Sequence, residues 1–178
     1  MSTSQEKTKV FSDADHGSDH PTKKSTSGAF LESLGGAIIW SSTKQSNVAQ
    51  SSCESELYAA AEALKSSLWL TKLLSELNIQ EKHTILIDNQ ATTKLIKNPQ
   101  YYRRTKHIEL KYFLIRDHYD KQEINVDYVP SEQQKSDILT KPLVKGKFLE
   151  LRKLLRLSQW KNENNYSDHE TNDDTTSD

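Results

Sequence analysis

The sequence has few of the features that would place a protein outside the cell or in a membrane. Cys53 is the single cysteine among 178 residues, so one chain can form neither a disulfide nor a zinc site built on several thiolates. No apolar run is long enough to span a bilayer. The polar start, residues 1–9, also lacks the apolar stretch of a signal peptide. We therefore expect an intracellular protein, located in the cytoplasm and not secreted.

The charges of the chain are unevenly distributed. The formal net charge is −1, but the segment after Trp160 is acidic, so the remainder carries a small net positive charge. We predict a disordered lead over residues 1–8, one domain over residues 9–157 and a disordered acidic tail over residues 158–178. A mildly basic domain is compatible with a polyanionic partner but does not require one.

The pattern of apolar residues predicts a mixed α/β fold. One apolar run, Thr84–Asp88, is continuous and closes on an acid, which is typical of a buried central strand. We place Trp40 and Trp69 in the core. The predicted strands are residues 9–15, 28–33, 37–42, 84–88 and 124–128, and the predicted helices are residues 52–77, 90–97, 107–119, 131–140 (begun by a capping box of Ser131 and Gln134) and 148–155.

Four acids occupy positions that favour a shared site. Asp13 lies near the end of the first strand and Asp88 ends the buried strand, and ligands of open α/β sheets gather beyond the carboxyl ends of strands. Glu56 lies in the first turns of the long helix, and Asp137 lies in a late helix. Taken singly, Asp88 as a helix cap and Asp13 as a surface turn residue are explanations at least as good as a functional role.

Two glutamates near the start of the long helix are alternatives for that site. Ser51 and Glu54 have the spacing of a capping box, which gives Glu54 a structural role. Glu56 instead heads a face of small residues that lets the helix lie close against a sheet: Ala59, Ala60 and Ala63. We therefore favour Glu56, with Glu54 as the alternative.

A cluster of carboxylates has a definite chemistry. The charges repel one another and take up protons unless cations are present. Hard oxygen ligands select Mg²⁺ or Mn²⁺, and two such ions about 4 Å apart are a recurring device for phosphodiester cleavage. The residues alone therefore indicate a candidate two-metal site for phosphoryl transfer.

Six sequence blocks follow one another in an order that resembles a known family. Together they are similar to the C-terminal ribonuclease H domain of copia-type retrotransposon polyproteins, and the resemblance extends from about Val10 to Leu157. A single short block would carry little weight, whereas six in order are specific. The blocks are SDADHG (12–17), KKSTSGAF (23–30), WSSTKQSNVAQSSCESELYAAAEA (40–63), IDNQATTKLIKNP (87–99), RTKHIELKYFLIRD (104–117) and VPSEQQKSDILTKPL (129–143).

The resemblance implies a ribonuclease H-like fold, a five-stranded mixed sheet flanked by helices, and an enzyme that cuts the RNA strand of RNA–DNA hybrids during reverse transcription. It implies two Mg²⁺ or Mn²⁺ ions. Asp13 would bridge both, Glu56 and Asp88 would complete the ligands of one, and Asp137 those of the other. It also implies a reverse transcriptase domain of the same polyprotein as partner and, for an intact element, a location in virus-like particles.

The same resemblance suggests contacts to the nucleic acid. Asn89 and Gln90 are candidates for the 2′-hydroxyl group that distinguishes RNA from DNA, and basic side chains would bind phosphates. For each basic residue taken singly, an ordinary place on the solvated surface is the alternative, and His107 also fits a structural histidine. The candidates beyond Asn89 and Gln90 are Arg104, Lys106 and His107.

The sequence departs from the family and leaves alternatives open. The histidine that cellular ribonucleases H carry before their last aspartate has no counterpart in the loop 129–137. One alternative is a catalytically silent ribonuclease H fold, a relic or packing module of a truncated polyprotein. Another is an integrase core, which the spacing of the four acids argues against.

Overall fold

The computed structural model describes residues 8–33, 35–98 and 109–157. Within them lie five strands and five α-helices, and the sequence-based order of elements is confirmed. The strands are β1 Lys9–Ala14, β2 Thr26–Ser33, β3 Gly36–Lys44, β4 His83–Ile87 and β5 Ile124–Tyr128; the helices are α1 Ser52–Glu76, α2 Gln90–Lys97, α3 Glu109–Asp120, α4 Asp137–Thr140 and α5 Lys145–Leu154.

The strands form one mixed sheet in the order β3-β2-β1-β4-β5. Strands β1, β2 and β3 pair antiparallel, while β4 pairs parallel with both β1 and β5. The neighbouring parallel strands β1 and β4 therefore end at the same edge of the sheet, as the two acids at their ends had suggested.

Alternating side chains of the strands build an apolar layer on each face of the sheet. Val10 and Ile85 pack with α1, α2 and α3 in the larger layer. Phe11 and Phe30 pack in a smaller layer with residues of α4 and of the end of α5. The alanine face of α1 is almost fully buried, which brings that helix close to the sheet.

Several local predictions are wrong, each for a physical reason. Trp40 is 65% exposed, since it lies on the edge strand β3, and Trp69 is 58% exposed on α1. No continuous helix joins residues 131–140: a 3₁₀ turn spans Ser131–Gln133, and α4 begins only at Asp137. The predicted capping box fails because the side chain of Gln134 donates a hydrogen bond to the carbonyl oxygen of Ser12 instead (2.8 Å).

Some predictions fall outside the described residues. These are the lead 1–7, the tail 158–178 and the segment 99–108, which contains Arg104, Lys106 and His107. Among the helices of the described ranges, none combines the length and the apolar character that a bilayer crossing requires.

Candidate active site

Three acids from three elements meet at the carboxyl edge of β1 and β4. Asp13 is in β1, Asp88 directly follows β4, and Glu56 reaches this edge from the second turn of α1. One carboxylate oxygen from each lies within 4.8 Å of the others, a spacing that allows all three to hold one metal ion. Asp13 and Glu56 are buried, while Asp88 is partly exposed.

The fourth predicted acid lies beside this group. Asp137 is the first residue of α4 and is buried. Its charge helps to raise the pKa of Asp13, so the two carboxylates act on each other electrostatically. Asp13 thus interacts with the charge of Asp137 and also belongs to the group with Glu56 and Asp88.

Few hydrogen bonds within the described residues offset the charge of the three grouped acids. Thr140 donates its hydroxyl to Asp13, Ser131 donates to Asp88 at 2.9 Å, and the amide of Ala14 reaches Glu56 Oε1 at 3.4 Å. The second oxygen, Glu56 Oε2, is buried and has no hydrogen-bond partner within the described part of the chain. Such a buried, unpartnered carboxylate oxygen is a group that a cation would satisfy.

Burial and mutual repulsion raise the pKa values of these acids. Burial, and then the charges of Asp13 and Asp88, raise the pKa of Glu56 to about 9. Burial, together with Asp137 and Asp88, raises the pKa of Asp13 to about 7 against the hydrogen bond from Thr140. Burial also raises the pKa of Asp88. The cluster therefore holds protons at neutral pH unless another positive charge replaces them.

Asp137 differs from the other three acids. Burial alone would raise its pKa, but the ammonium groups of Lys141 and Lys147, which pair with its two oxygens, outweigh burial and lower it. Neither lysine was singled out by the sequence. The i, i+4 spacing of Asp137 and Lys141 is a signal that could have identified the first, whereas Lys147 comes from a separate helix.

The structure places Glu56, and not Glu54, in the cluster. Ser51 accepts a hydrogen bond from the amide of Glu54 (3.2 Å), as a capping box requires. The carboxylate of Glu54 accepts hydrogen bonds from the amide of Gln50 (2.7 Å) and the hydroxyl of Tyr58 (2.9 Å). Glu54 therefore stabilises the helix start.

The start of α4 is fixed by a close approach to β2. A Cβ atom added at Gly28, which pairs with Asp13 across the sheet, would lie 2.6 Å from Thr140 Cγ2 and 2.9 Å from the carbonyl oxygen of Ser136. Gln134 completes the arrangement, because its side-chain oxygen accepts a hydrogen bond from the Ser136 hydroxyl (2.8 Å). The position of Asp137 thus depends on a glycine and a buried glutamine.

Comparison with known proteins identifies relatives for both sequence and fold. No family model matches the chain. It is 37% identical over 141 residues to the retrovirus-related Pol polyprotein from transposon TNT 1-94 of Nicotiana tabacum, covering 79% of this chain and 11% of the relative. It is 38% identical over 141 residues to that from transposon RE2 of Arabidopsis thaliana, covering 78% of this chain and 10% of the relative. The chain therefore spans about a tenth of the length of these relatives.

Solved structures with a similar fold are ribonucleases H. LC11-RNase H1, isolated from compost, superposes with a TM-score of 0.60 at 14% identity, covering 75% of this chain and 92% of the other. The structure of the same enzyme in complex with an RNA/DNA hybrid gives a TM-score of 0.56 at 13% identity. The match covers 75% of this chain and 94% of the other. The chain is thus a relative of the retrovirus-related Pol polyproteins of plant transposons and has the ribonuclease H fold, as its sequence blocks had predicted.

Proposed function

We propose that the chain is a divalent-cation-dependent endonuclease that hydrolyses the RNA strand of RNA–DNA hybrids during retrotransposon reverse transcription. The observation that carries the proposal is the meeting of Asp13, Glu56 and Asp88 within 4.8 Å at one sheet edge. The relatives and the fold neighbours named above support it, and one of those neighbours holds a hybrid.

The residues fit Mg²⁺ or Mn²⁺. Oxygen-only ligands suit hard cations, and the unpartnered Oε2 of Glu56 offers a ligand atom that the described part of the protein does not otherwise use. Asp13, Glu56 and Asp88 would hold one ion, and Asp13 with Asp137 a second. When bound, such a pair of ions activates water for attack on a phosphodiester and stabilises the leaving oxygen.

The other residues of the site orient these acids. Thr140 and Ser131 fix the carboxylates of Asp13 and Asp88 through their hydroxyl groups. Both donors lie in residues 131–140, the segment that ends with α4. This segment therefore sets the geometry on one side of the site. Burial of Glu56 and Asp13 excludes water from their inner oxygens, which strengthens any interaction with a cation.

Contacts to the nucleic acid remain proposals. The side chain of Asn89 caps α2 by accepting a hydrogen bond from the amide of Thr92 (3.0 Å), so its oxygen is already engaged. We therefore favour Gln90, an exposed residue two positions after Asp88, as the contact to a 2′-hydroxyl group. We further propose a reverse transcriptase domain of the same polyprotein as partner and the cytoplasm or a virus-like particle as location.

Cleavage of a labelled RNA–DNA hybrid tests the proposal. We expect the folded chain to cut the RNA strand, and not the DNA strand, in Mg²⁺ or Mn²⁺. The Asp88→Asn variant should lose more than about a hundredfold in rate, since even residues that only orient metal ligands cost up to about that factor. Asp127→Asn is the matched control, because Asp127 is an exposed acid on β5 that pairs with Lys97 (2.6 Å) away from the cluster.

Three results would contradict the proposal. If the folded wild-type chain cuts no hybrid in either cation, even with a reverse transcriptase domain added, it is a silent ribonuclease H fold. An equal loss of cleavage rate in Asp127→Asn would show that the loss in Asp88→Asn is not specific to the cluster of acids. Strand transfer on DNA ends without cleavage of hybrid would support an integrase.

A further inference from the structure

Both carboxylate oxygens of Asp137 are covered by lysines that reach in from the surface. Lys141 Nζ lies 2.7 Å from Oδ1, and Lys147 forms an ion pair with Oδ2. The side chain of Asp137 is 1% exposed, whereas those of Lys141 and Lys147 are 40% and 33% exposed. The fourth acid therefore has an ion-pair partner at each oxygen, whereas none of the other three forms an ion pair within the described part of the chain.

The two lysines do not have the same relation to the cluster. The charge of Lys141 lowers the pKa of Asp13, Glu56 and Asp88 as well as that of Asp137. Lys147 pairs with Oδ2 of Asp137 and lowers the pKa of that acid. Lys141 thus lies close enough to the acidic group for its charge to act on all four carboxylates.

A cation at Asp137 and the ammonium group of Lys141 would compete for one place. Two positive charges next to the same carboxylate oxygen repel each other strongly away from bulk water. Lys141 has a flexible four-carbon stem and a partly exposed end, so its ammonium group can move to another anion nearby. The phosphates of a bound nucleic acid would offer such anions beside the acids.

We propose that Lys141 is a phosphate-binding residue that neutralises Asp137 in the free chain, so that a divalent cation reaches Asp137 only when the backbone of the hybrid has drawn Lys141 away. Lys147 holds the second oxygen of Asp137 from a separate helix. The inference rests on the proposed function, since it takes the nucleic acid as the ligand of this site.

Two binding measurements on the whole chain test the role of Lys141. The first is calorimetric titration of the free chain with Mg²⁺. The Lys141→Gln variant should bind the cation several-fold more tightly than wild type or gain a second bound ion, because Asp137 loses its competing charge. Lys153→Gln is the matched control, since Lys153 is an exposed lysine on α5, and it should match wild type.

The second measurement is hybrid affinity over a range of salt concentrations in Ca²⁺, with a gel showing that the hybrid stays intact. Lys141→Gln should bind several-fold more weakly, and the slope of log affinity against log salt should fall by about one phosphate contact. Lys141→Arg, which keeps the charge, should restore the slope. Lys153→Gln should leave it unchanged, and thermal unfolding should show that every variant is folded.

The outcomes separate this inference from the proposed function. Tighter Mg²⁺ binding by Lys141→Gln with an unchanged salt slope would overturn the phosphate contact, and unchanged Mg²⁺ binding would overturn the competition at Asp137. If Lys141→Gln shows both effects but the wild-type chain cuts no hybrid, the hydrolytic function is contradicted and the role of Lys141 stands.

Discussion

The two ends of the central strands bury polar groups in opposite ways. At the amino end of β4, His83 is buried, and its Nδ1 lies 2.8 Å from the hydroxyl of Ser67, while Glu81 accepts hydrogen bonds from the amide and hydroxyl of Thr8. At the carboxyl end, Asp13, Glu56 and Asp88 face one another. The hydrogen bonds at the amino end link β1, β4 and α1 to one another. The carboxyl end instead places like charges together, which lowers the stability of the fold.

This comparison shows where the fold carries a function. Polar groups that bind one another stabilise the native chain, whereas buried acids gathered without enough partners are stable only with protons or cations. The difference can be tested by removing groups from each end in turn.

The largest effect on the free energy of unfolding is expected from the ionisation of Glu56 in the metal-free chain. Its folded pKa of about 9 exceeds the ordinary 4.5, and that of Asp13 is raised to about 7. A carboxyl group with a raised pKa contributes stability that is present at low pH and is lost as pH rises through the folded value. Chemical denaturation in a chelator should therefore show the free energy of unfolding falling between pH 5 and pH 9.

Glu56→Gln should remove most of this pH dependence and raise stability at pH 9 by a few kcal/mol, because one unit of pKa shift corresponds to about 1.4 kcal/mol. Glu54→Gln is the paired variant two residues away. It should lower stability at every pH, since it weakens the helix start. Mg²⁺ should stabilise wild type and Glu54→Gln but not Glu56→Gln, and equal stabilisation of all three would contradict the site.

A smaller loss of stability is expected from a substitution where α4 packs against β2. Gly28→Ala should cost about 1–3 kcal/mol, as overpacking does, because the new methyl group would overlap Thr140 and the Ser136 carbonyl. Denaturation and hybrid cleavage should both be impaired, since α4 carries Asp137. Gly146→Ala is the control, because nothing lies within 4 Å of a Cβ there, and a cost as large as at Gly28 would refute the packing explanation.

The smallest loss of stability is expected from a substitution at the amino end of β4. Ser67→Ala would take away the 2.8 Å contact to His83 Nδ1 and should cost about 1–2 kcal/mol without affecting cleavage. Burial lowers the pKa of His83, so its contribution is present above the ordinary pKa of a histidine and is lost as pH falls below it. A loss of cleavage larger than the loss of folded protein would show that the two ends are coupled.

The sequence allowed the acids of the site to be predicted, but not the side chains that hold these acids in place. The ends of β1 and β4 were visible as acids closing apolar runs, and the small residues of α1 indicated which glutamate the structure would bring there. Contacts between distant segments left no local signal. Gln134 binds Ser12, and Lys147 binds Asp137 from another helix. The tryptophans were misplaced because hydrophobicity alone does not reveal which face of an element stays uncovered.

Gln134 has a consequence for how this protein can change over time. Its side chain joins the backbone of β1 to the residue before Asp137, so the fourth acid is anchored from the strand and not from the chain that leads to it. Within the exposed turn Ser131–Gln133, Ser131 binds Asp88, so Glu132 and Gln133 are the place where insertions and deletions can accumulate without displacing Asp137. A single buried amide would in this way separate a segment free to diversify from a position that must stay fixed.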